Sequence, residues 1–287
     1  MKIIFFGTPQ EVVPVLENLV THFDVIAVVT ASDKKAGRKQ LITPSPVKVI
    51  SQKNSIPVIT PQQFNNEIIE QLQDLNPDLL VVAAYGRIIP NAILKLPKYG
   101  AINIHPSLLP KYRGPTPIQT ALLNGDTSSG ITFIKMDEQM DHGPILQQIP
   151  FMLKKTDTFA WLMQSTFAQA AQILPHVITE YVSGRIKPQP QDDSQAIPTK
   201  MITKEDGSID LENPPEKTKL DRMIRAYYPW PTVWTKITIN GRETNIKFLP
   251  EQRLQVEGKN PINIKDFLNG YPQMNERLSK IANFLNI

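Results

Sequence analysis

An amide, an imidazole and a carboxylate stand where buried strand gives way to loop in this chain. Asn103-Ile-His105-Pro-Ser-Leu-Leu-Pro110, closed by Arg113-Gly114, supplies the first two, and Asp141-His-Gly143 supplies the third. An amide donates to a developing oxyanion, an imidazole donates or takes a proton, and a carboxylate orients the imidazole or relays its proton. No Ser–His–Asp order or metal-ligand cluster accompanies them, and the chain has no cysteine. The pattern points to transfer of a group onto a nucleophile that the substrate brings.

Taken singly, each residue has a plainer reading. A histidine at a strand end is commonly structural, Asn103 can cap a turn, and Asp141 before His142-Gly143 can be an ordinary turn aspartate. His142 adjoins Asp141 but is read as non-catalytic.

Those loops need a scaffold, and the apolar pattern predicts one. Residues 2–6 form an apolar run ending at Gly7, a first buried strand. Thr8-Pro9-Gln10-Glu11 reads as a helix start, with Thr8 capping and Glu11 completing a capping box. Residues 25–29 are apolar throughout, as in parallel sheets buried on both faces. Helices over 47–52 and 67–75 and a helix near 90–94 alternate with strands at Val58–Ile59, 79–84 and Ala101–His105. A helix over 116–124, strands at 131–135 and 145–149, and a long helix over 158–182, with Pro175 as a possible bend, complete the series. This alternation predicts an α/β fold, a Rossmann-like, doubly wound, mostly parallel sheet. Ligands on such sheets sit beyond the C-terminal ends of strands, where His105 and the loop after Ala84 fall. Gly7-Thr8-Pro9 lacks the G-x-G-x-x-G pattern, which disfavours a dinucleotide.

Residues 187–198, with Pro188, Pro190, Pro198 and Asp192-Asp193, read as a linker. The expected division is therefore 1–186 for catalysis, 187–199 as linker and 200–287 as a small β-rich domain. In the last part, strands over 234–239 and 244–248 flank Asn240-Gly241 as a hairpin, and residues 275–285 read as a final helix.

At 287 residues and 41% hydrophobic, the chain has material for two domains. Zero cysteines exclude disulfides and thiolate metal sites. The N-terminal apolar run, residues 3–6, is too short for a signal or a membrane span, so the expectation is a soluble cytoplasmic protein with no membrane partner. A net charge of +4 suits an anionic partner and equally a mildly basic globular protein. Lys34, Lys35, Arg38 and Lys39, opposed nearby only by Asp33, form a basic loop that alone reads as solvated surface.

The central pattern resembles the signature of the 10-formyltetrahydrofolate-dependent formyltransferases, Asn-x-His-x-Ser-Leu-Leu-Pro-x-x-Arg-Gly. It is matched at Asn103, His105, Ser107, Leu108, Leu109, Pro110, Arg113 and Gly114, with the downstream Asp-x-Gly at Asp141 and Gly143. Residues 84–90, Ala-Tyr-Gly-Arg-Ile-Ile-Pro, are similar to the segment that borders the folate pocket in that superfamily. Ala36-Gly-Arg38-Lys39 and Pro44-Ser-Pro-Val-Lys48 resemble the loop by which its methionyl-tRNA formyltransferase branch reaches the tRNA acceptor arm. Sugar-nucleotide formyltransferases generally lack that insertion. Lys200-Met, Asp206-Gly and residues 224–231 resemble the junction to the C-terminal domain, which some sugar enzymes share. The likeness covers most of residues 1–248.

The resemblance implies the formyltransferase fold and formyl transfer from 10-formyltetrahydrofolate to the α-amine of methionyl initiator tRNA, by a monomer without a metal. It assigns Asn103 and His105 to the oxyanion and Asp141 to proton transfer. Ser107, Leu108, Leu109 and Pro110, the last two joined by a cis peptide bond, with Arg87, Ile88 and Ile89, are implied to border the folate. Arg38 and Lys39 are implied to meet the tRNA. An amino-sugar-nucleotide N-formyltransferase is the alternative acceptor class; a non-catalytic RNA-binding protein and a folate-consuming hydrolase are further readings. The chain departs from the family at its end, where relatives carry an OB-like barrel of about five strands. Only residues 249–253 precede Leu254-Gln-Val-Glu-Gly-Lys259, which is similar to a late family motif. A further strand pair needs about ten residues. The expectation is a small, truncated OB-like domain without a closed barrel.

Overall fold

The computed structural model describes residues 1–36, 40–239, 241–274 and 278. Its chain forms two compact units, one of residues 1–115, 129–151 and 163–199, the other of residues 116–128, 152–162 and 200 onward.

In the first unit, β1 (Lys2–Gly7) is the central strand, and Ile3, Ile4, Phe5 and Phe6 are wholly buried. Successive side chains of a strand point to opposite faces. Ile3 and Phe5 accordingly join one core cluster and Ile4 and Phe6 another, so no polar alternation is possible. β2 (Asp24–Val29) and β6 (Leu79–Ala83) pair parallel with β1 on either side. β5 (Val58–Ile59) extends the sheet parallel to β2, and β7 (Ala101–His105) parallel to β6. β9 (Ser128–Lys135) pairs antiparallel with β7, and β10 (Ile145–Met152) completes the order β10-β9-β7-β6-β1-β2-β5.

Helices cover both faces. α1 (Val13–His22) places Val15, Leu16 and Leu19 in the Phe5 cluster, where α6 (Phe159–Val182) adds Phe167, Leu174 and Ile178. α3 (Asn66–Asp74) gives Leu72, and α4 (Asn91–Leu94) gives Ile93 and Leu94, to the Phe6 cluster. α2 (Pro46–Lys53) is capped by Ser45, whose side chain accepts from the Lys48 N–H at 3.0 Å. α6 runs unbroken through Pro175.

Helix entry after β1 differs from the capping box expected at Thr8. Residues Gln10–Val12 form a 3₁₀ turn with no side-chain cap, and α1 starts only at Val13. The Thr8 hydroxyl donates instead to the Tyr85 carbonyl at 3.2 Å, which ties the end of β1 to the loop after β6. The basic loop holds a short hairpin, β3 (Lys34–Ala36) and β4 (Leu41–Thr43). Arg38 and Lys39 lie outside the described residues.

The segment expected to be a linker is a strap held along this unit. Ile145 and Gln189 exchange backbone hydrogen bonds at 2.7 and 2.8 Å. β11 (Ile197–Pro198) then pairs parallel with β8 (Lys111–Arg113), within the Arg-Gly end of the central motif.

In the second unit α5 (Pro117–Asn124) packs on α7 (Lys217–Tyr227), a helix that the aromatic, Pro-flanked junction concealed. Gly125 ends α5 at φ +72°, and Arg222 donates to the Asn124 carbonyl at 3.1 Å. β12 (Val233–Ile239), β13 (Arg242–Leu249), β14 (Arg253–Val256) and β15 (Ile262–Asn263) form an antiparallel sheet in chain order, followed by α8 (Ile264–Gly270). The five residues expected only to separate two motifs include the ends of β13 and β14, with Leu249 paired to Arg253. Glu251 and Gln252 make that tight turn at φ +60° and +55°, conformations that carry no glycine signal in the sequence. The final helix expected at 275–285 lies outside the described residues, Leu278 excepted.

Phe133 on β9 is wholly buried beside the strand that carries His105. Phe133→Ala is expected to lower the unfolding free energy by about 3–5 kcal/mol, read from urea titration.

Candidate active site

Asn103 and His105 lie two residues apart on β7 and so share one face of the sheet at the end of the strand. In register they face Ile134 and Thr132 of β9. Asp141 comes to the same point from the loop between β9 and β10. Its Oδ1 accepts from Asn103 Nδ2 at 3.2 Å and stands 3.5 Å from His105 Nδ1, while its Oδ2 accepts from the Gly114 N–H at 2.7 Å. The three residues singled out by chemistry thus converge on one carboxylate, and His105 is almost fully buried.

Two glycines make this convergence possible. Gly114 sits at φ +113°, and a Cβ there would lie 2.7 Å from Thr199 Oγ1. A Cβ on Gly143 would lie 1.9 Å from the Lys135 carbonyl oxygen. Asp141 itself takes φ +51°, a left-handed conformation that short polar side chains tolerate best.

His105 Nε2 lies 2.9 Å from the Tyr112 carbonyl. A carbonyl only accepts, so Nε2 carries a proton, and the ring gains or loses a proton only at Nδ1. The Tyr112 backbone thus selects the tautomer, and Asp141 stands at the other nitrogen.

The loop after β7 is held from below. Thr132 Oγ1 donates to the Ser107 carbonyl at 2.6 Å and accepts from the Leu109 N–H at 3.1 Å, while Gln148 Nε2 donates to the Leu109 carbonyl at 2.8 Å. Ser107 Oγ donates to the Lys111 carbonyl at 2.6 Å, and the Leu109–Pro110 bond is cis. Leu108 packs over Gly130, where a Cβ would meet its Cδ2 at 2.3 Å. Sequence reading missed Thr132, Gln148 and the Tyr112 carbonyl, because partners on another strand leave no local spacing.

The segment after β6 spreads its residues apart. The Arg87 guanidinium donates to the Pro61 and Gln62 carbonyls and stacks over Phe64. Ile88 is 80% exposed, while Ile89 belongs to the Phe6 core cluster.

Behind Asp141, His142 Nδ1 contacts Asp137 Oδ2 at 2.6 Å and its Nε2 lies 3.4 Å from Asp193 Oδ2. Arg113 Nη2 donates to Asp193 Oδ1 at 2.7 Å. The hydrogen bond with Asp137 holds the His142 imidazole above the usual histidine range. The Arg113 guanidinium holds the Asp193 carboxyl below the usual carboxylate range.

The formyl transferase family model matches residues 1–178, and that for the formyl transferase C-terminal domain matches residues 201–251. The chain belongs to the formyl transferase family. A relative from Chloroflexus aggregans called methionyl-tRNA formyltransferase is 44% identical over 237 residues, 82% of this chain and 76% of its own length. A sugar N-formyltransferase from Shewanella sp. shares the fold with a TM-score of 0.66 at 18% identity, over 88% of this chain and 98% of its own. An N-formyltransferase from Helicobacter canadensis, solved with folinic acid and dTDP-3-aminofucose, gives a TM-score of 0.62 at 19% identity, over 89% of this chain and 95% of its own. The matched residues 1–178 include β7, the Arg113-Gly114 turn and the Asp141 loop.

A histidine whose folded pKa is raised stabilises the fold fully below its ordinary value of about 6.5 and loses that contribution as pH rises through the raised value. Thermal unfolding of the wild type and His142→Ala should therefore differ most just below pH ~6.5 and converge as pH rises through the raised value. A gap that widens with pH would contradict the His142–Asp137 contact.

Proposed function

We propose that this protein transfers the formyl group of 10-formyltetrahydrofolate to the α-amino group of methionyl initiator tRNA. The meeting of Asn103 and His105 at the Asp141 carboxylate carries the chemistry. The 44% identity to a methionyl-tRNA formyltransferase over 82% of the chain supports the acceptor.

The reaction joins a neutral amine to the formyl carbon, turns the formyl oxygen into an oxyanion, and then breaks the bond to the folate nitrogen. Asn103 Nδ2 has two hydrogens, one given to Asp141, the other available to the oxyanion. His105 is the second donor when Nδ1 is protonated. Asp141 accepts the proton released by the attacking nitrogen, directly or through water, and that proton passes to the folate nitrogen as its bond to the formyl carbon breaks, which restores the carboxylate. No acylated side chain is needed, and the amine replaces the folate nitrogen on carbon. The rigid loop of Ser107, Leu108, Leu109 and Pro110, with Arg87, Ile88 and Ile89, borders the folate. The folinic acid of the Helicobacter canadensis structure supports a reduced folate as donor.

Residues 1–186 carry this chemistry, and Arg38 and Lys39 contact the tRNA acceptor arm. Lys34 and Lys35, exposed on β3, offer further positive charge to phosphates. An amino-sugar nucleotide is the competing acceptor.

Formyl transfer from 10-formyltetrahydrofolate should proceed with methionyl-tRNA and not with amino-sugar nucleotides or without an acceptor. Formylated sugar beside untouched tRNA would overturn the acceptor. His105→Ala and Asn103→Ala should each lower kcat by about 10²–10³-fold; full rate in either would overturn its role. Charge-removing changes at Arg38 and Lys39 should raise KM for tRNA, most at low salt and less as salt rises, and leave KM for the folate unchanged. Equal losses for both substrates would remove the tRNA assignment.

A further inference from the structure

Gln191 stands on the strap, in a segment that the sequence presents only as a Pro-rich connection. Its amide is saturated. Nε2 donates one hydrogen to the Asp141 carbonyl and the other to the Gly143 carbonyl, each at 2.8 Å. Oε1 accepts from Nε and Nη2 of Arg113 at 3.0 and 2.9 Å. A guanidinium only donates, so these contacts identify the oxygen end of the amide and leave its nitrogen facing the two carbonyls.

The four bonds join three segments distant in the chain: the Arg113-Gly114 end of the motif, the turn at 141–143, and the strap. Asp141 occupies its left-handed conformation between the Gly114 contact on its side chain and the Gln191 contact on its carbonyl. Gly143 has no room to shift toward Lys135, whose carbonyl fills the place of a Cβ. Pinning the carbonyls on both sides of His142 fixes the backbone from which the Asp141 side chain starts. A carboxylate that must sit within hydrogen-bond reach of two other groups tolerates little displacement of that origin.

We infer that Gln191 is a positioning residue for formyl transfer: its amide holds the Asp141 backbone and so sets the carboxylate against Asn103 and His105. The inference rests on the proposal that Asp141 assists proton transfer.

Gln191→Glu separates positioning from simple tethering of the strap. A carboxylate keeps its acceptors for Arg113 and turns that contact into an ion pair. It has no hydrogen for the Asp141 and Gly143 carbonyls and sets negative charge against them. Steady-state kinetics of Gln191→Glu, Gln191→Ala and Asp141→Ala with both substrates, with a Tm for each, form the test. Both Gln191 variants should lose about 10–100-fold in kcat, with KM for folate and acceptor within about two-fold of wild type. The Tm of Gln191→Glu should stay near wild type. Wild-type kcat in Gln191→Glu, or a loss carried by KM alone, would overturn the inference. Full rate in Asp141→Ala would remove the underlying reading of Asp141, and the inference with it, whatever the Gln191 variants do. Full loss in Asp141→Ala beside an active Gln191→Glu would sink the inference alone. If Gln191→Ala fails to fold, Gln191→Glu decides.

Discussion

The Asp141 carboxylate accepts one hydrogen bond from a strand and one from a loop, Oδ1 from Asn103 and Oδ2 from the Gly114 N–H. Other features of the site follow from keeping that carboxylate where it is. The backbone must turn left-handed at Asp141, Gly114 must take a conformation closed to other residues, and Gly143 must lie against Lys135. The parallel sheet supplies the fixed side of the arrangement, because β7 is held between β6 and β9 and its two polar residues cannot drift. The loops supply the other side, each pinned by side chains that reach backbone groups.

Much of the sheet was legible because its interior strands are buried on both faces. Runs such as Ile3-Ile4-Phe5-Phe6 have no polar option, so their character survives without any knowledge of neighbours. Asn103 and His105 stand out for a related reason, as polar groups at the end of a buried strand, whereas Asp141, in the loop after β9, is picked out by the Asp-x-Gly of the family resemblance. The elements that escaped are those whose stability comes from distant partners. β8 and β11 are short and exist by pairing with each other, and α7 lies among polar residues whose apolar positions meet α5. The turn at 250–252 escaped because Glu251 and Gln252 are not residues that announce a left-handed turn.

The same distinction separates the reacting groups from their supports. Thr132 and Gln148 hold the loop at residues 107–110 from β9 and β10, and Tyr112 sets the His105 tautomer through a carbonyl. A backbone carbonyl has no residue type, so its role leaves no trace in composition or spacing. The strap is a clearer instance. Its prolines and acidic pair describe a connector, yet Gln189 is bonded to Ile145, and Asp193 completes a chain of contacts from Arg113 to His142 and Asp137. Proline-rich sequence constrains the path of a chain, and here that path lies along the unit rather than away from it.

The shared oxygen also suggests how the steps of formyl transfer are coupled. Asp141 Oδ1 faces both Asn103 Nδ2 and His105 Nδ1, the groups assigned to the oxyanion. A charged acceptor holds its donors more strongly than a neutral one. While the carboxylate is ionised, it keeps Asn103 oriented at the end of β7, and His105 as well when Nδ1 carries a proton. In the proposed reaction the same carboxylate takes up the proton of the attacking amine, while the second hydrogen of Asn103 Nδ2 meets the negative charge on the formyl oxygen. In that proposal proton acceptance and oxyanion stabilisation are joined through one carboxylate, with no acylated side chain.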